Sequence, residues 1–202
     1  MVIIKHRINS INSLLETPSK FGIEIDIRSY KNELILNHDP YFDGEKIENF
    51  LKNYNHQFLI LNVKEEGLEK RLIEIMKSFK IKNYFFLDQS FPFLLKTTKS
   101  GENRCAVRFS EYESINTVLS LSNIVKWVWV DFFTKFPLDH EEYLKLKESM
   151  FNICLVSPEL QGHDKEKIVS LQKELIKNKI YINAVCTKYP ELWNYSNFFI
   201  ST

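Results

Sequence analysis

Apolar and ionisable side chains alternate without a break in GIEIDI, residues 22–27. On a strand, positions two apart project to one face, so Glu24, Asp26 and then Arg28 share one side while Ile23, Ile25 and Ile27 share the other. Further short β-branched or aromatic runs recur as VIIKH (2–6), FLILNVK (58–64), YFFLDQ (84–89), CAVRFS (105–110), WVWVDFF (127–133), NICLVS (152–157) and YINAVCT (181–187). Their length and composition predict strands. Between most of them apolar residues fall at helical spacing, as in Leu68, Leu72, Ile75, Met76 and Phe79, and again in Ile168, Leu171, Leu175 and Ile176.

Strands alternating with helices predict a parallel α/β sheet, and eight such units is the number at which the sheet closes into a (β/α)8 barrel. A doubly wound open sheet is the alternative, but no glycine-rich loop follows the first strand. Most predicted strands end on polar groups instead: His6, Asp26, Lys64, Asp88, Arg108, Asp131 and Glu159. Barrel enzymes place their chemistry at such ends. ELILNHD (33–39) follows the second strand after a turn around YKN, which predicts a hairpin arm that brings His38 towards His6.

The 202 residues are 44% apolar and hold no linker or low-complexity tract, so a single domain over 1–202 is expected. A formal net charge of +1 offers no electrostatic case for nucleic acid or an anionic membrane. No run approaches the roughly 20 apolar residues of a membrane helix, and the first apolar stretch is too short for a signal peptide. A cytoplasmic protein is expected. Cys105, Cys154 and Cys186 are odd in number, far apart and set in or beside apolar runs, which predicts buried inert thiols instead of disulfides or a metal pair.

Four motifs in order carry a resemblance: HR (His6, Arg7) ending the first strand, EIDI (Glu24, Asp26) on the second, ILNHD (His38, Asp39) on the arm, and LNVK (Asn62, Lys64) ending the third. Together they resemble the glycerophosphodiester phosphodiesterase family, within the barrel phosphodiesterases related to phosphatidylinositol-specific phospholipase C. Weaker echoes are LDQSFP (87–92) and AVCTKYPELW (184–193). The resemblance implies a phospholipase-C-like barrel in which His6 and His38 are acid and base and Glu24 and Asp26 hold a divalent cation, Mg²⁺ or Ca²⁺. Asn62 stands where the family usually supplies a third carboxylate; its amide oxygen can still ligate, with one ligand charge lost and lower metal affinity expected. Ile8 replaces the usual glycine after HR. The usual insertion before the third strand is reduced to residues 40–57, so glycerol specificity does not follow.

The chemistry suits these residue types. Phosphodiester cleavage needs one proton removed and one delivered, which imidazoles of pKa near 6.5 perform near neutral pH. Arg7 and Lys64 would orient phosphate oxygens, and Arg108 is a second candidate anion contact or a partner of Glu111. Each residue also has a plain structural reading: Glu24 and Asp26 as solvated edge charges, His6 as a core histidine, His38 and Asp39 as turn residues, and Lys64 paired with Glu65 or Glu66. Asp88, Asp131 and Glu159 are expected as structural partners of cations, and Asp164 as a helix cap beside His163. The expected function is metal-assisted cleavage of a small phosphodiester. Alternatives are a degenerate barrel that binds a phosphorylated metabolite or partner, and a sugar-phosphate isomerase or lyase, which would need an anion site after the last strands for which only Lys188 is offered.

Overall fold

The computed structural model describes residues 1–193. Contacts group these into two compact units, one of Ile4–Ala106 and the other of Met1–Ile3 with the chain from Val107 onward.

The first unit takes up β1 (Val2–Lys5) at its second half and continues through α1 (Ile11–Glu16), β2 (Gly22–Tyr30), β3 (Glu33–Leu36), β4 (Glu45–Lys46), α2 (Ile47–Leu51), β5 (Leu59–Val63), α3 (Glu69–Ser78), β6 (Tyr84–Leu87) and α4 (Phe91–Lys99). Strand β2 lies parallel between β1 and β5, and β5 lies parallel to β6, with Asp26 opposite Asn62 and Asn62 opposite Leu87. Residues 22–27 are buried on both faces of β2, as a strand covered by crossover helices requires. The solvated-edge reading of Glu24 and Asp26 is therefore set aside. Helix α3 turns Leu72, Ile75 and Met76 inward, on the predicted stripe. Helix α1 starts from a capping box in which Ser10 and Ser13 satisfy each other's backbone N–H groups.

The arm forms as expected. Strand β3 pairs antiparallel with the outer part of β2 through a two-residue turn, Tyr30 facing Glu33. Lys31 and Asn32 both take positive φ, 47° and 66°, the hairpin turn whose twist matches the flanking strands. The two-residue β4 returns along β3, a pairing too short to leave a periodic signal in sequence. Gly44, just before it, is required by space: a Cβ there would sit 2.4 Å from the carbonyl oxygen of Leu36.

The second unit contains β7 (Ala106–Phe109), α5 (Ile115–Leu119), β8 (Trp127–Val130), α6 (His140–Glu148), β9 (Asn152–Val156), a 3₁₀ turn (Pro158–Gln161), α7 (Glu166–Lys177) and β10 (Ala184–Thr187). β8, β9 and β10 are parallel. β7 flanks β8, and the opening residues of β1 flank β10, with the Val2 N–H donating to the Asn183 carbonyl at 2.8 Å. Glu159 is buried and accepts from Thr187 Oγ1 at 2.6 Å, from the Lys188 N–H at 2.9 Å and from Ser157. It ties strand ends together. Asp164 does not cap α7; Lys165 occupies that position with no side-chain bond, and Asp164 contributes only its carbonyl, to the Lys167 N–H.

With β3 and β4 counted as the arm, eight strands alternate with helices or 3₁₀ turns in the order of a (β/α)8 barrel. All three cysteines are free and buried. Among the described residues no helix is long and apolar enough to cross a membrane.

Gly44→Ala is expected to destabilise the chain by about 1–3 kcal/mol, because the new methyl group meets a backbone carbonyl that cannot rotate away. Urea denaturation measures it, and an unchanged midpoint would contradict the close approach.

Candidate active site

Glu24 and Asp26 are 0% and 1% exposed, so two neighbouring carboxylates enter the protein interior together. Such a pair persists only if donors or cations surround it. The chain leaving β1 supplies the first of these. The Ile8 N–H donates to the Glu24 carbonyl at 2.8 Å. Arg7, held at φ 56°, directs its own N–H to Glu24 Oε2 at 2.7 Å. Its guanidinium Nε lies 3.5 Å from Asp26 Oδ2. Asn9 then clasps Asp26 twice, its amide donating to Oδ2 at 2.8 Å and its carbonyl oxygen accepting the Asp26 N–H at 2.9 Å.

Strand β5 supplies the rest. Asn62 Nδ2 donates to Glu24 Oε1 at 2.8 Å. Lys64 Nζ stands 3.3 Å from Asp26 Oδ1 and 3.2 Å from Asp88 Oδ2, not against Glu65 or Glu66. His6 Nε2 lies 3.8 Å from Glu24 Oε2. His38 arrives by the arm: the Asn37 N–H donates to the Asp26 carbonyl at 3.1 Å, and the next residue, His38, offers its carbonyl to Arg28 Nε at 3.0 Å. The His38 ring meets Asp39 through Nδ1 at 2.8 Å, a bond that holds the Asp39 carboxyl below its usual range.

His6, Arg7, Glu24, Asp26, Asn62 and Lys64 thus form one network, with His38 attached at its edge through Asn37. Arg108 belongs to the second unit, where its guanidinium bonds Asp131, whose other oxygen accepts from Gln161 at 2.7 Å. Glu111, the other partner considered, instead accepts from Thr134. His56 is buried and holds the Thr17 carbonyl at 2.9 Å. Asp88 pairs with Lys64 as the cation partner it was expected to be, and Asn9 is the member that sequence reasoning passed over. Asn9 lies two residues beyond HR, on a segment whose path becomes visible only once it folds back over β2.

Burial, reinforced by the adjacent Asp26 charge, raises Glu24 to about pH 7 against the opposing pull of Asn62, the Arg7 N–H and Lys64. The pair is short of positive charge. Asp26 Oδ1 and Asn62 Oδ1 are also buried and accept no hydrogen bond. Among the described residues no three His, Cys, Asp or Glu side chains group as metal ligands. Two carboxylates and an amide oxygen nevertheless form the hard oxygen set that Mg²⁺ or Ca²⁺ takes. The residues present fit such a cation, with one anionic ligand fewer than three carboxylates would give.

No protein-family model matches the sequence, and no curated protein matches it. Solved structures do. A glycerophosphoryl diester phosphodiesterase from Parabacteroides distasonis superimposes with a TM-score of 0.65 at 12% identity, over 95% of this chain and 84% of its own. A glycerophosphodiester phosphodiesterase from Agrobacterium tumefaciens gives 0.63 at 10% identity, over 96% and 98%. This chain has the glycerophosphodiester phosphodiesterase fold. A Galdieria sulphuraria protein provisionally assigned to the same enzymes gives 0.73 at 14% identity, over 96% and 98%. Within the glycerophosphodiester phosphodiesterase fold, Asp26 lies one residue before the end of the stretch of β2 that pairs with β5, and Lys64 stands one step past β5.

The raised Glu24 carboxyl sets a pH dependence. From about pH 4.5 to about 7 the folded chain keeps a proton that the unfolded chain has released, so stability falls as pH rises through that window. Glu24→Gln removes the titration. Thermal unfolding of both forms across the window should show the wild type losing stability relative to the variant; parallel curves would contradict the buried, uncompensated pair.

Proposed function

We propose that the chain cleaves small phosphodiesters of the glycerophosphodiester kind, with His6 and His38 as the proton-transfer pair. The observation that carries this reading is the buried Glu24–Asp26 pair, gripped by Arg7, Asn9, Asn62 and Lys64, with His6 3.8 Å from Glu24 and His38 one residue beyond the Asn37 N–H that donates to the Asp26 carbonyl. The shared fold supports it.

Glu24, Asp26 and Asn62 would hold a divalent cation, Mg²⁺ or Ca²⁺, which when bound neutralises phosphate charge at the centre. Arg7, 47% exposed at its side chain, and Lys64, more buried at 16%, would supply donors for the phosphoryl oxygens. His6 Nε2 stands 3.8 Å from Glu24 Oε2, so the buried carboxyl would orient the imidazole that exchanges the proton. Asp39 fixes His38 through Nδ1, leaving Nε2 to exchange a proton with the attacking or leaving oxygen. The two imidazoles complete one cycle by opposite transfers. Substrate selection falls to the short segment 40–57, and the head group beyond the phosphate is correspondingly open.

One observation favours a second reading, a phosphorylated-ligand binder without turnover. Asn62 turns its amide nitrogen to Glu24, so the centre carries one negative ligand fewer than a three-carboxylate site.

The two readings separate in one assay series. Bis(p-nitrophenyl) phosphate and a panel of glycerophosphodiesters, with Mg²⁺, Ca²⁺ or chelator, should be hydrolysed in a cation-dependent manner. His6→Ala and His38→Ala should each lower kcat by about 10²–10⁴-fold. Undiminished turnover in either variant refutes the proton-transfer pair, and phosphate binding without turnover in the wild type selects the binder.

A further inference from the structure

We propose that Asp88 is a positioning residue for Lys64, holding its ammonium out as an anion-binding group instead of leaving it closed upon Asp26. The inference rests on the reading of this centre as one that handles phosphate. Lys64 follows β5 directly, and its Nζ lies between two carboxylates, 3.3 Å from Asp26 Oδ1 and 3.2 Å from Asp88 Oδ2. Only the contact with Asp88 is a hydrogen bond; Asp26 Oδ1 accepts none. An ammonium carries three donors. With a carboxylate on either side, the third N–H remains for a ligand oxygen.

Position and backbone both show how Asp88 comes to stand there. It follows the last residue of β6, Leu87, which is registered opposite Asn62, so residue 88 falls alongside the end of β5. Its φ is 63°, the left-handed region that non-glycine residues seldom enter, although Asp tolerates it better than most. Arg7, the other cation of the network, also sits on a left-handed backbone. Such conformations persist where surrounding structure enforces them, and they gather at ligand-handling sites. Lys64 and Asp88 are 16% and 21% exposed at their side chains, so their attraction is only partly screened while the ammonium stays within reach of solvent. Asp26 is almost wholly buried, and its attraction for the same ammonium is screened less still. Removing the pull of Asp88 would draw Lys64 inward onto Asp26 Oδ1, so that its remaining donors no longer point where a phosphate oxygen would sit.

The sign of the effect separates positioning from simple charge. Deleting a negative charge near an anion site should by itself tighten phosphate binding; deleting the group that holds Lys64 in place should weaken it. The probe is inorganic phosphate, titrated by calorimetry into the full chain with and without Mg²⁺. Asp88→Gly and Asp88→Asn both accept the left-handed backbone and have equal charge, but only the amide can still accept from Lys64. Asp88→Gly is expected to weaken phosphate binding about tenfold, the scale of one charge-assisted hydrogen bond, with Asp88→Asn intermediate. In a Lys64→Met background Asp88→Gly should weaken binding no further. Tighter or unchanged binding by Asp88→Gly, an equal loss with and without Lys64, or no phosphate binding by the wild type would each overturn the proposal. Because the readout is binding, a chain that binds phosphate through this pair without hydrolysing anything would retire the proposed activity and keep the inference; a hydrolase whose phosphate affinity ignores Asp88 would do the reverse.

Discussion

Two carboxylates, Glu24 and Asp26, are forced into the interior on one face of β2, and the surrounding chain is organised by the need to keep them there. Their opposite neighbours Ile23, Ile25 and Ile27 are all wholly buried, so the strand has no solvated side to which the acids could turn. An uncompensated buried charge costs several kcal/mol, and two side by side cost more through mutual repulsion. The chain answers from three directions: the fold-back after β1, the amide on β5, and the ammonium one step beyond it. Compensation is incomplete, and the raised Glu24 carboxyl measures the shortfall.

The same strand transmits position to the reactive groups. β2 runs beyond the residues paired with β5, and that extension is the template for β3. His38 is thereby located by the antiparallel ladder that begins at a two-residue turn and ends beside Asp26. A shift of one residue in that ladder would turn every side chain of the arm to its other face. Gly44 and the small β4 close the arm on its outer side, which is how a loop as short as 37–44 keeps a defined path.

Much of this was legible in the order of residues, and the limits have physical causes. The eight strand segments were legible as short β-branched or aromatic runs bounded by polar residues, and the helices over 68–79 and 168–176 as apolar stripes at helical period. The motif residues of β1, β2 and β5 converge because neighbouring parallel strands place their ends together. Arg108, a cation near a strand end, bonds Asp131, the structural partnership expected of that acid; which acids a long side chain reaches is decided by rotamer and neighbour, not by spacing. Asp88 was legible as a strand-end acid that would partner a cation, and it meets Lys64; Asn9 was not legible, since it acts through a chain reversal that leaves no pattern in composition. Asp164 shows the converse case. A residue type suited to capping sits one place too early, and the helix begins from Lys165 without it.

The grip on Glu24 by the Arg7 backbone N–H has a consequence for how the centre would look to genetics. A main-chain donor survives almost every exchange of the side chain it belongs to, proline excepted. Codon-by-codon scanning at residue 7 would therefore register only what the guanidinium contributes, and the anchor of the deepest acid would stay silent in the data. Whatever loss appeared at that position would be credited to the side chain alone.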